Sequence, residues 1–118
     1  FWFYTILGSN WLIAQDCNDP VPPGLDCQAA PILCNLDGYC STTVNVNEQF
    51  APTAFCGQVE NAHWIKFVAA TSTLVLQISP DNCGLGLQGH IYQTNDCLTY
   101  TPVSNCYDIA GVADFVLT

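Results

Sequence analysis

Eight cysteines, at positions 17, 27, 34, 40, 56, 83, 97 and 106 of a 118-residue chain, constrain its fold more than any other feature. Their successive spacings are 10, 7, 6, 16, 27, 14 and 9, so none forms the C-x2-C pair that tetrahedral zinc sites use. An even count without metal-ligand spacing reads as a disulfide framework, which forms and persists in oxidising compartments. Export from the cytosol is the corresponding expectation.

Charge narrows the field further. The chain holds ten Asp plus Glu, one Lys (Lys66) and no Arg, for a net charge of -9 with His neutral. A nucleic-acid partner is excluded, because phosphate binding releases counterions only in proportion to the Lys and Arg that replace them. Anionic membrane surfaces are excluded on the same ground. Charged residues make up 9% of the chain and hydrophobic ones 50%, which distinguishes it from a disordered acidic tail. The length suits one domain.

Residues 1–14 (FWFYTILGSNWLIA) are uncharged and mostly apolar. The run is too short for a membrane span, which takes about 20 apolar residues, and fits a signal-peptide core of roughly 7 to 15. No basic segment and no Met precede it, which predicts a signal-peptide remnant in a chain cut at its N-terminus. The competing reading makes these residues a first strand or core helix. Residues 15–31 are polar and proline-rich, which denies helix and predicts an extended strap held by Cys17 and Cys27. After cleavage no membrane association is expected.

From residue 32 to 118 the pattern has period two. In 64–69 (WIKFVA), Ile65, Phe67 and Ala69 share a face, and in 73–79 (TLVLQIS), Leu74, Leu76 and Ile78 do. In 113–118 (ADFVLT), Ala113, Phe115 and Leu117 alternate in the same way. Asp37-Gly38, Pro80-Asp81-Asn82 and the glycines at 84, 86 and 89 mark reversals. No stretch keeps a helical period for three turns. The expectation is an all-β, antiparallel β-sandwich stabilised by disulfides.

Residues 87–93 and 100–106 read as hairpin arms around Asn95, Asp96 and Cys97. Pairing Gln93 with Tyr100 sets Leu87 opposite Cys106, with Cys83 close by and Cys97 roughly 20 Å away at the turn. This register predicts a Cys83–Cys106 bridge and directs Cys97 to the N-terminal half. Cys17, Cys27, Cys34, Cys40, Cys56 and Cys97 remain unassigned, since eight cysteines allow 105 connectivities.

Catalytic residues are not expected. His63 and His90 stand outside any G-x-S-x-G or H-E-x-x-H pattern, and a Cys–His dyad would require a thiol outside the disulfide framework. Asp37, Asp81, Asp96 and Asp108 sit in predicted turns, where oxygen ligands for calcium or simple turn-making explain them; no complete calcium loop is present. Trp64, Tyr92 and Tyr100 would point away from Ile65 and Ile91, either as a platform for surface glycans or packed under a neighbouring element. Glu60-Asn61 ahead of Trp64 reads as a strand-entrance brace.

A spaced run of short motifs carries a family resemblance. It comprises Ile32-Leu33-Cys34-Asn35-Leu36-Asp37-Gly38-Tyr39-Cys40, Phe55-Cys56-Gly57, Glu60-Asn61 with Trp64 and Phe67, and Asn82-Cys83 with Gly86-Leu87-Gln88. Ile91-Tyr92, Asp96-Cys97 and Val103-Ser104-Asn105-Cys106 complete it. From about Cys27 onward the chain resembles the cysteine-rich extracellular β-sandwich module of large surface proteins in gliding and related Bacteroidetes, proteins typically exported by the type IX pathway. It is also similar to the prepeptidase C-terminal type of β-sandwich, a jelly-roll-like fold. The resemblance implies a non-catalytic structural or adhesive module, partnered by neighbouring domains of a longer chain. The alternative is a carbohydrate- or calcium-binding accessory domain of an exported hydrolase. The family pattern runs on past Thr118 with another strand pair, so the resemblance also implies that the last strands are lacking here.

Overall fold

The structure is a computed structural model and describes residues 21–42, 50–59, 61–81 and 86–118. The signal-peptide segment, Cys17, Cys83, Glu60 and most of the β-branched run at 42–46 lie outside the described residues. Among the described residues the fold is all-β, with eight short strands and no helix. These are β1 (Ile32–Leu33), β2 (Lys66–Phe67), β3 (Leu76–Ile78), β4 (Leu87–Gly89), β5 (Tyr92–Gln93), β6 (Thr101–Pro102), β7 (Tyr107–Gly111) and β8 (Phe115–Leu117).

They associate as four two-stranded pairs. β1 and β2 run parallel, whereas β3–β8, β4–β7 and β5–β6 are antiparallel. Period-two burial is clearest in β8, where Phe115 and Leu117 are buried and Val116 is exposed. Opposite them, Leu76 and Ile78 are half-buried and Gln77 is exposed, so the paired strands turn the same face inward. Gly89 of β4 comes so close to this face that a Cβ there would lie 3.2 Å from both Leu117 Cδ1 and Phe115 Cε2. The Tyr107 ring of β7 stacks on Phe115 at 4.0 Å and 3°. The absence of a side chain at 89 and the flat Tyr107–Phe115 contact thus hold the β4–β7 pair against the β3–β8 pair.

Cys27 and Ala30 of the strap, Leu33 of β1 and Ala62 ahead of β2 are also buried. Gly24 is bridged to Trp64 by two backbone bonds of 2.8 and 2.9 Å, and a Cβ on Gly24 would run into the backbone of Ala29 and Ala30. Only glycine lets the strap approach so closely.

The hairpin expectation needs correction. Gln93 pairs with Thr101, not Tyr100, and Leu87 pairs with Gly111, not Cys106. The expected single hairpin is two separate pairings. Its ladder ends where Val103 N–H donates to Ile91 O, because the next donor, Ile91 N–H, is taken by the Ser104 hydroxyl at 2.9 Å. The chain then turns away through Asn105, whose N–H donates to Thr118 O. Cys106 is thereby carried to the 50–59 loop and bonds Cys56, so the expected Cys83–Cys106 bridge does not form. Cys97 joins Cys27 in the N-terminal half. Cys40 is also disulfide-bonded, and Cys34 is an exposed free thiol.

Candidate functional site

The densest group of chemically informative side chains surrounds the β5–β6 hairpin. Its turn is built by Asp96. One carboxylate oxygen accepts the N–H groups of Thr99 (2.8 Å) and Leu98 (2.9 Å) and the Thr94 hydroxyl (3.3 Å), while the other accepts from the Thr99 hydroxyl. The backbone bonds from Thr99 and Leu98, aided by the hydroxyls, hold the carboxyl below its ordinary value. Thr94 Oγ1 accepts Cys97 N–H, and Cys97 adopts φ 55°, a left-handed conformation uncommon outside glycine. Its disulfide to Cys27 and the hydrogen bond from Tyr100 Oη to Cys97 O (2.7 Å) fix the turn from both sides.

Behind this turn four rings converge. Trp64 lies 5.6 Å from Tyr100 and 6.5 Å from Tyr92, the two tyrosines are 5.9 Å apart, and Phe50 lies 6.0 Å from Trp64 and 6.4 Å from Tyr100. The three aromatic residues expected from sequence are therefore brought together. They pack on one another while remaining half-exposed, and Phe50 is exposed. Phe50 was not singled out in the sequence; the available signal was a large apolar residue inside the polar 47–54 stretch. Burial raises Tyr92 above the ordinary tyrosine value. Tyr100 is raised by burial first, and then by the negative charges of Asp26 and Asp96.

On the other face, Gln93, Thr94, Asn95, Asp96, Thr99 and Thr101 line an open groove of about 250 Å³. Gln93 and Thr101 are register partners, and strand alternation turns them away from Tyr92 and Tyr100. The groove offers amide and hydroxyl hydrogen-bonding groups and one carboxylate, that of Asp96, without a cation. Its chemistry suits neutral polar ligands and disfavours anions.

His90 packs on Tyr92 at 4.4 Å, and its Nε2 donates to Ser104 O at 3.2 Å, while Nδ1 is buried without a hydrogen-bond partner. Both ring nitrogens of His63 are buried without a hydrogen-bond partner.

The four candidate calcium ligands are not gathered. Asp37 donates its N–H to Asn35 Oδ1 within a turn completed by Gly38 at φ 72°, Asp108 O in β7 accepts from Gln88, and Asp81 is exposed. Among the described residues no three His, Cys, Asp or Glu side chains lie close enough to share a metal ion. Turn formation accounts for Asp37 and Asp96. Nor is any helix among the described residues long and apolar enough to cross a membrane. Comparison with family models, curated proteins and solved structures returns no match.

Proposed function

We propose that the chain is a non-catalytic adhesive module of an exported or cell-surface protein. Apolar side chains left outside a cross-linked scaffold carry this reading: Val68 is 85% exposed, Leu98 76% and Ile109 75%. Apolar side chains that act together on a surface mark contact with a partner, and these three are proposed to act in that way. Two disulfides spanning 70 and 50 residues support an oxidising location. The resemblance to the cysteine-rich Bacteroidetes surface module agrees with both points. The packing of β4–β7 on β3–β8 is consistent with part of a β-sandwich.

The test is an adhesion assay with protein-coated beads on cell-surface material, comparing the native chain with a Val68→Thr, Leu98→Thr, Ile109→Thr variant of unchanged thermal stability. Severalfold weaker retention of the variant is the expected result. Equal retention refutes the adhesive reading.

A second reading, glycan recognition at the hairpin, is favoured by the convergence of the half-exposed Trp64, Tyr92 and Tyr100 on one of its faces. A hit on a glycan array that Trp64→Ala abolishes would replace the first reading with this one.

A further inference from the structure

Among the described residues the β3–β8 pair has one open edge and one closed edge, and its hydrogen bonds identify which is which. Asn105 lies along β8 on the side away from β3. Its N–H donates to Thr118 O at 3.0 Å, its side-chain Nδ2 donates to Val116 O at 3.2 Å, and its Oδ1 accepts Thr118 N–H at 2.7 Å. In an extended chain a residue's N–H and C=O point to the same side, and alternate residues point to opposite sides. Val116 and Thr118 therefore face Asn105, and Phe115 and Leu117 face β3. In the register Leu76↔Leu117, Gln77↔Val116, Ile78↔Phe115, this assigns the β3–β8 bonds to Leu76 and Ile78. The N–H and C=O of Gln77 then point outward from β3, at the free edge.

Such edges are normally protected by charge, proline or a covering element. Here the entire stretch from Phe67 to Pro80 is uncharged, and Val75 at the edge is 64% exposed. We propose that the free edge of β3 pairs with β3 of a second copy of this chain, antiparallel and centred on Gln77. A residue whose N–H and C=O both face out is self-complementary about a two-fold axis: Gln77 exchanges two backbone bonds with its own image, and Val75 falls opposite the image of Ser79.

Closure favours this occupant, and the charges described along the edge permit it. Each copy carries a net charge of -9, so two copies can approach only where no carboxylate meets its image. Asp81 falls opposite the uncharged Thr73. Asp114, which accepts from Gln77 Nε2 at 3.4 Å, stands at the start of β8, the strand farther from the axis. Association also stops at two copies, since Asn105 covers the outer edge of β8. The product is a closed four-stranded sheet in the order β8, β3, β3, β8, not a fibre.

The test is light scattering and sedimentation of the 118-residue chain across a dilution series, with amide exchange followed at Gln77. A concentration-dependent dimer is expected, with the Gln77 amide protected only in the dimer. Gln77→Pro removes an N–H that the β3–β8 ladder does not use and should raise the dissociation constant about tenfold or more. Gln77→Glu is the second variant: it keeps the side chain's size but sets two carboxylates face to face on the axis beside Asp114, and the same weakening is expected. A monomer at every concentration, a dimer indifferent to both variants, growth beyond two copies, or pairing of β3 with a different protein's strand would each overturn the proposal.

Discussion

At the scale of single residues, the polar atoms buried without partners are the most informative. A buried polar atom loses its hydration without recompense, so removing it costs little or stabilises. His63→Phe should accordingly leave chemical-denaturant stability unchanged or raise it by up to about 1 kcal/mol; a marked loss would mean that the ring nitrogens serve a purpose. The tyrosines of the aromatic cluster respond to alkali. Both Tyr92 and Tyr100 are held above the ordinary value of 10.0, so the fold prefers their neutral forms. As pH rises past 10.0 the unfolded chain releases these protons first, and stability should fall from that point upward. Phenolate absorbance and circular dichroism recorded together check this: the rings should ionise at higher pH in the folded chain than in the denaturant-unfolded chain.

Among the elements, the β5–β6 hairpin depends on Asp96 far more than on strand length. Its carboxylate is held below the ordinary 3.8 by the bonds it accepts, so its contribution is complete above that value and fades as pH falls through the lower folded one. Asp96→Ala should lower the melting temperature at neutral pH and flatten the acid limb of the pH–stability curve. Asp96→Asn, which keeps one accepting oxygen, should fall in between. The elements also divide what the sequence discloses from what it conceals. Burial of Phe115 and Leu117 was legible because alternation is a local property of a strand. The convergence of Trp64, Tyr92 and Tyr100 was legible as a shared orientation. The hairpin register was not, because one hydroxyl, that of Ser104, ends the ladder and nothing in the apolar pattern marks it. The partner of Cys106 was lost with that register, since a one-residue slip sends the following segment elsewhere.

In the molecule as a whole, local structure is slight and long-range connection does the holding. The strands are two to five residues long, and the buried apolar side chains among the described residues are few and mostly small. Closing loops of 70 and 50 residues restricts the unfolded chain by about 4 kcal/mol each in the chain-entropy model. A Cys27→Ser, Cys97→Ser variant should therefore be unfolded or barely folded at 37 °C, and thiol reductant should do the same to the native chain. Retention of near-native circular dichroism under reduction would show that the apolar clusters suffice.

The position of Lys66 carries a consequence for digestion. It is the single basic residue, so the Lys66–Phe67 bond is the one peptide bond in the chain that a trypsin-class protease recognises. That bond lies inside β2, where Lys66 N–H donates to Pro31 O and the side-chain Nζ reaches Gln28 O. An enzyme that must draw its substrate out into an extended cleft gains access only when β2 leaves β1. Even a successful cut changes little, because Cys27–Cys97 and Cys56–Cys106 both straddle it. The nicked molecule keeps its two halves joined and separates only when reduced, a durability suited to surroundings rich in proteases.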